Sequence, residues 1–240
     1  YTNAEFPPFE YMSNNTPVGV DMQIAQAIAD EIGVKLEIKN VKFDTILSSV
    51  NSGKGSMGIA GISVTEERAQ EVDFSINYAT SKQYIILPQD SEVTKIEDLA
   101  GMAIGVQLGT TGDIIISEEI SGTEDEETKE HIQGVLEGTG ASVTQYNSAA
   151  DAAVAMNSGK VDAVVIDKLP AEIVASQYEN FKAIELVYAD GQNTEESYAV
   201  CVAKGNQELL DVVNQVIERL IDDGTIDQWI TDHTMQASES

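Results

Sequence analysis

A repeated four-residue turn constrains the fold of this chain more than any other feature. The sequence Asn-Ser-Gly-Lys occurs at residues 51–54 and again at residues 157–160. Each copy follows a predicted helix and precedes a short apolar run, and overlaying the two copies aligns Gly61 with Asp167. A repeated helix–turn–strand unit predicts two lobes of similar construction. The order of the elements favours an α/β fold, in which ligands bind at the carboxyl ends of strands.

Residues 59–78 bring several polar groups to the start of a predicted helix. An apolar run ends at Gly61 and is followed by Ser63 and Thr65, and Arg68 lies three residues after Thr65. We expect Thr65 to be the N-cap and Arg68 to lie in the first turn. Free N–H groups, hydroxyls and a guanidinium together predict an anion site, where Arg68 can donate two parallel hydrogen bonds to a carboxylate. The alternative is that Arg68 only forms surface ion pairs with neighbouring glutamates.

Hydrophobic periodicity predicts the surrounding elements. Helical spacing is found at residues 20–32 and 43–50, and residues 34–38 alternate as a strand does. In the second lobe, a small-residue turn at residues 107–112 leads into a predicted helix at residues 113–116. A phosphate-binding loop is disfavoured there because no lysine follows the glycines.

Charge and composition exclude several classes of function. Asp and Glu number 41 against 13 Lys and Arg, which gives a formal charge of −28. Such a surface repels phosphate backbones and anionic lipid, so no nucleic acid or membrane-surface partner is expected. The absence of an 18-residue apolar run predicts no membrane span. The acidic stretch at residues 117–141 is predicted to be an insertion, with residues 124–127 as solvated surface rather than a metal cluster.

Cysteine and histidine usage gives no sign of a disulfide, a metal or a cofactor. Cys201 is the single cysteine and lies in an apolar run, so we expect it to pack in the core. His131 and His233 are far apart in sequence. The sequence opens on Tyr1 rather than Met, which we interpret as a trimmed N-terminus from which the targeting segment, if any, has been removed.

Several motifs in a fixed order resemble those of one protein family. The motifs are FPPF at 6–9, GVDMQIAQAIADEIG at 19–33, AGISVTEER…VDFSINY within 59–78, VQLGTTGD at 106–113, SGKVDAVVID at 158–167 and DDGTIDQWI at 222–230. In these motifs the chain resembles the extracytoplasmic amino-acid-binding proteins of ABC importers, bacterial solute-binding protein family 3. The resemblance covers essentially the full chain apart from the acidic stretch.

The resemblance implies a fold, a location and a partner. The implied fold is the two-lobed periplasmic-binding-protein fold, in which each lobe is a mostly parallel sheet flanked by helices and two hinge strands join the lobes. Lobe 1 is expected at residues 1–82 and 192–240, and lobe 2 at residues 83–191. The protein is then expected to be a monomer outside the cytoplasm, either periplasmic or a cell-surface lipoprotein. It is expected to deliver a free amino acid to the permease of the importer and to catalyse no reaction.

The resemblance also implies which residues bind the α-groups of the amino acid. Arg68 would bind the α-carboxylate, with help from Ser63 and from Thr111 in the other lobe. Asp167 and the backbone near Gly61 would bind the α-ammonium. Each residue keeps a structural alternative: Ser63, Thr111 and Asp167 could simply be helix caps.

Four further positions match the family's contacts with the ligand side chain. Phe6 and Phe43 would form aromatic walls, and Asn3 and Gln107 would be polar contacts, although the two phenylalanines could equally be packing residues. Asn3 stands where relatives that prefer basic amino acids have Asp. Without that carboxylate, we expect a neutral ligand.

Two other functions are compatible with the same scaffold. Dehydratases acting on prephenate-like or arogenate-like acids resemble this family, and Glu5 or Glu196 would then be the candidate general acid. The chain could also be the sensor domain of a larger receptor.

Overall fold

Residues 1–125 and 127–238 are described by a computed structural model. Two structural units are formed from this chain: unit 1 comprises Tyr1–Ser81 and Glu196–Ser240, and unit 2 comprises Lys82–Glu195.

Unit 1 begins with short strands around a long helix. Gly33 ends that helix in the left-handed conformation, at φ 77°, and its N–H returns to carbonyls of the last turn. The elements of this part are β1 Glu5–Phe6, β2 Glu10–Ser13, β3 Thr16–Val18, α1 Val20–Ile32, a 3₁₀ turn Phe43–Thr45, α2 Ile46–Asn51, β4 Met57–Gly58, α3 Glu66–Glu71, β5 Val72–Phe74 and β6 Ala79–Ser81.

Unit 2 is built on one five-stranded sheet. Its elements are β7 Gln83–Pro88, a 3₁₀ turn Ile96–Leu99, β8 Ala103–Gln107, α4 Thr111–Ser121, β9 Thr123–Glu124, β10 His131–Ile132, β11 Ser142–Tyr146, α5 Ala149–Asn157, β12 Ala163–Asp167, α6 Lys168–Ser176 and β13 Phe181–Glu185. The strand order is β11-β8-β12-β7-β13. Strand β8 is parallel to both its neighbours, whereas β7 is antiparallel to both of its own.

The chain completes unit 1 with two strands and two helices: β14 Glu196–Tyr198, β15 Cys201–Ala203, α7 Gln207–Asp222 and α8 Thr225–Ser238. Strand β15 lies between β4 and β5 and is antiparallel to both. Cys201 is fully buried there, which confirms its expected place in the core.

The architecture is α/β as predicted, but its sheets are mixed rather than mostly parallel. Within the described parts of unit 1, the strands pair antiparallel throughout. Strands β1, β2 and β3 follow one another through short turns, which makes neighbours antiparallel, and β14 and β15 come back into unit 1 against the direction of their neighbours.

Residues 34–38 do not form the predicted strand. Val34 N–H donates back to the Ala29 carbonyl of α1 at 3.0 Å, and just beyond the segment Thr2 N–H donates to the Lys39 carbonyl at 3.0 Å. Leu36 and Ile38 are half-buried and line a groove of about 690 Å³. The alternation indicated which side chains point toward the protein. A strand also needs a neighbouring strand that can pair with its N–H and C=O groups.

The repeated turn has the same backbone hydrogen bonds in both units. The N–H groups of Gly53 and Lys54 donate back into α2 at 2.9 and 3.1 Å. Those of Gly159 and Lys160 donate back into α5 at 3.0 and 2.9 Å. Both glycines have φ 72°, a left-handed conformation that favours glycine at each helix end.

The acidic stretch is only partly solvated surface. It continues α4 as far as Ser121 and then forms the β9–β10 hairpin. Leu136 is buried in the core of unit 2, whereas Glu124 and Glu127 are exposed as predicted. Glu126 lies outside the described residues.

Candidate functional site

Arg68 is held at the start of α3 by contacts within unit 1. The Thr65 hydroxyl oxygen accepts from the Arg68 N–H at 3.1 Å, which confirms Thr65 as the N-cap. Arg68 is 8% exposed, and its Nη1 donates to the Ser63 carbonyl at 2.8 Å. The guanidinium carbon lies 5.6 Å from the centroid of the Phe43 ring, within cation–π range. Because Arg68 is buried, the alternative of a solvated surface ion pair does not fit.

Ser63 is linked to the chain that returns into unit 1. Its hydroxyl donates to the carboxylate of Glu196, and its backbone forms an antiparallel bridge with Tyr198. Ser63 is therefore not the cap of α3. Sequence reasoning named Glu196 only as a possible general acid, because no local pattern indicates a contact across 133 residues.

Gly61 is fixed from two sides. Its φ is +52°, and a Cβ built on it would lie 2.6 Å from a ring carbon of Phe6. On the other side, the Gly61 N–H donates to Oδ2 of Asp21 at 2.9 Å, and the Tyr78 O–H donates to the same oxygen at 3.0 Å. Asp21 is fully buried, and this burial raises its pKa to about 6. Sequence analysis missed Asp21, which the GVDM pattern places on the first turn of α1.

Asn3 and Phe6 are the remaining predicted site residues of unit 1. Asn3 is 4% exposed and its Nδ2 donates to the Val41 carbonyl at 2.8 Å. Phe6 is buried against Phe9 and Tyr198, with ring centroids 6.0 and 6.1 Å away. Direct contacts thus join Arg68 to Ser63 and Phe43, and Phe6 to Gly61.

Unit 2 places its predicted residues at strand ends and a helix start. Gln107 ends β8 and Asp167 ends β12, and because these strands are parallel, both residues lie at the same edge of the sheet. Thr111 is the first residue of α4, but the cap is Thr110, whose hydroxyl oxygen accepts from the Asp113 N–H at 3.3 Å. The capping alternative for Thr111 is therefore wrong.

Asp167 sits at the N-cap position of α6 without acting as a cap. Its side chain makes no capping hydrogen bond, although it is only 4% exposed. The capping alternative for Asp167 therefore fails as well. A carboxylate at a strand end, beside the start of a helix, is a polar group that a ligand cation can pair with.

Neither a metal cluster nor a membrane span is evident in the described ranges. Residues 1–125 and 127–238 contain no group of three or more His, Cys, Asp and Glu side chains that could hold a metal ion. Among the helices of these ranges, none has the length and apolar character needed to cross a bilayer.

Unit 1 places a guanidinium and hydroxyls at a helix start, and unit 2 places a carboxylate at a strand end; such groups are suited to binding a small charged solute. The model of the bacterial extracellular solute-binding proteins, family 3, matches residues 1–235, and the chain belongs to this family. It is an amino-acid-binding protein of an ABC importer, it acts outside the cytoplasm, and it is a binding protein rather than an enzyme.

Individual relatives agree with this family. The arginine-binding extracellular protein ArtP of Bacillus subtilis (strain 168) is 26% identical over 234 residues, which is 96% of this chain and 84% of ArtP. A solved structure of an ancestral arginine-binding protein bound to arginine is 34% identical, with a TM-score of 0.82 and coverage of 96% and 95%. A second, of an ancestral arginine-binding protein bound to glutamine, is also 34% identical, with a TM-score of 0.79 and coverage of 95% and 92%.

Proposed function

We propose that the amino acid bound by this protein has an uncharged, polar side chain, with glutamine as the first ligand to test. The observation that carries the proposal is the chemistry of the nominated side-chain contacts. None of Asn3, Phe6, Phe43 and Gln107 carries a charge. A cationic ligand side chain that loses its water needs a carboxylate partner, and an amide does not replace one.

The two nominated charges fit the α-groups that every amino acid shares. Arg68 binds the α-carboxylate, with the hydroxyl of Thr111 as an additional donor; the Ser63 hydroxyl becomes a further donor only if it leaves the Glu196 carboxylate. Asp167 and the Gly61 carbonyl bind the α-ammonium. The burial of Arg68 and its contacts with Ser63 and Phe43 support this role, because they orient the guanidinium before a ligand arrives.

The relatives support both the proposal and its main competitor. A related protein holds arginine in one solved structure, and in another such a protein holds glutamine, an uncharged polar amino acid. Arginine is therefore the ligand against which glutamine has to be compared. If arginine binds more tightly than glutamine, the assignment of an uncharged side chain is overturned, while the assignment of the α-groups is unaffected.

Isothermal titration calorimetry against the common amino acids and cystine tests both parts. For the α-groups, Arg68→Met should weaken binding of the best ligand by on the order of 100-fold, because it removes a desolvated charge-assisted pair. Arg219→Met is the matched control, since Arg219 is about half exposed and pairs with Glu31 on the surface. Equal affinities of the Arg68→Met variant and the parent would disprove the carboxylate assignment.

A further inference from the structure

The buried carboxyl group of Asp21 accepts a hydrogen bond from the Gly61 backbone, and the role that we infer for it rests on the proposed function. We propose that Asp21 is a positioning residue: its negative charge holds the Gly61 backbone in the conformation that binds the α-ammonium. The affinity for the amino acid then depends on whether Asp21 is charged, although Asp21 itself does not touch the ligand.

The geometry gives Asp21 direct control over Gly61. One carboxylate oxygen, Oδ2, accepts from the Gly61 N–H at 2.9 Å and from the Tyr78 O–H at 3.0 Å. The Phe6 ring closes the opposite side of Gly61. A hydrogen bond to a carboxylate is roughly twice as strong as one to a neutral acceptor, so the charge on Asp21 sets how firmly this turn is held.

Few groups face Asp21, and each comes from a different element. Glu10, on β2, is fully buried and hydrogen bonded to the Asp21 side chain. Tyr78 precedes β6, and the Gly61 amide follows β4. The hydrogen bonds with Glu10, Gly61 and Tyr78 lower the pKa of Asp21, but its burial raises that pKa by more.

This arrangement couples the protonation of Asp21 to ligand binding. Burial raises the pKa of Asp21 to about 6, so acidification from neutral pH removes its charge. The bonds to Gly61 and Tyr78 then become ordinary neutral hydrogen bonds, and the turn is held less firmly. By linkage, a ligand that needs the ordered turn favours the charged carboxylate, so binding near this pKa must release a fraction of a proton.

The test is calorimetry of the intact chain with L-glutamine and, separately, L-arginine, from about pH 8 to about pH 5 in buffers that differ in ionisation enthalpy. We expect the affinity of the parent to fall several-fold on acidification, with proton release near the midpoint. In the Asp21→Asn variant the affinity should be weaker and independent of pH over this range. Asp30→Asn, on the exposed face of α1, is the control and should behave like the parent.

A second variant keeps the proposal testable if Asp21→Asn fails to fold. Tyr78→Phe removes one donor from the carboxylate, which raises the pKa of Asp21 further, so the midpoint of the affinity change should move to higher pH. A purely structural role would alter the thermal midpoint of the variants without moving this profile.

The outcomes separate this inference from the proposed function. A parent that binds an amino acid with the same affinity and no proton release at every pH overturns the role of Asp21 and leaves the proposed function intact. An unchanged pH profile in Asp21→Asn or Tyr78→Phe also overturns it. A parent that binds no amino acid at about pH 8 refutes the proposed function, and the inference falls with it.

Discussion

The contact between Gly61 and the Phe6 ring gives a prediction with a calculable size. Gly61→Ala puts a methyl group on a residue with φ +52°, where a non-glycine residue costs about 1–2 kcal/mol. The new Cβ would lie 2.6 and 3.0 Å from two ring carbons of Phe6. Phe6 packs against Phe9 and Tyr198, so the ring cannot turn away freely, and such overpacking costs about 1–3 kcal/mol. The expected loss in the free energy of unfolding is about 2–5 kcal/mol.

Gly53→Ala is the matched control, because it isolates the backbone part of that loss. Gly53 has φ +72° and no heavy atom within 4 Å of a built Cβ, so only the left-handed conformation should cost, about 1–2 kcal/mol. Urea unfolding followed by the fluorescence of Trp229, the single tryptophan, reports on unit 1. The reasoning is refuted if both alanine variants lose the same stability, because the difference between them is the Phe6 contact.

Three further predictions concern other groups. The pKa of Asp21 rises from 3.8 to about 6 on folding, so the buried charge of Asp21 destabilises the protein above pH 6. The protonated carboxyl group makes its full contribution to stability below the unfolded pKa of 3.8, and this contribution is lost as the pH rises through 6. At about 1.4 kcal/mol per pKa unit, the parent should gain about 2–2.5 kcal/mol relative to Asp21→Asn between about pH 8 and about pH 4, measured by urea unfolding. Burial raises the pKa of the Cys201 thiol to about 11, so a thiol reagent should label it at the rate of unfolding, and fast labelling of folded protein would contradict its position. Lys82→Met removes a 2.8 Å ion pair with Glu185 whose side chains are 36% and 34% exposed, so thermal unfolding should show only a small decrease in Tm, which becomes smaller with added salt.

Features that depend on neighbouring residues could be predicted from the sequence. The Thr65 cap and the two Asn-Ser-Gly-Lys turns involve hydrogen bonds across three to five residues, and the structure contains the predicted cap and the same turn bonds in both copies. The burial of Cys201 followed from its apolar surroundings in the same way. In these places local chemistry and the final fold agree.

Features that depend on distant residues could not be predicted. The contact of Ser63 with Glu196 spans 133 residues, and that of Asp21 with Gly61 spans 40. Nothing in the pattern of α1 distinguishes Asp21, which is fully buried, from Asp30, which is exposed. The prediction of a strand at residues 34–38 was wrong for the same reason. The alternation of side chains is a local feature, whereas a strand needs a neighbouring strand to pair with.

The strongly negative charge of the chain is compatible with the proposed binding of a carboxylate, because the overall field and the local contact act over different distances. A charge of −28 creates a field that physiological salt screens within about 8 Å, and a zwitterion with no net charge feels little of it. The α-carboxylate still needs a nearby cation, and Arg68 meets this need because its burial limits screening by salt. A second cation on the ligand would be attracted by the whole surface, so arginine binding should weaken with salt more than glutamine binding does. The salt dependence of the two affinities therefore shows whether local contacts or the overall field select the ligand.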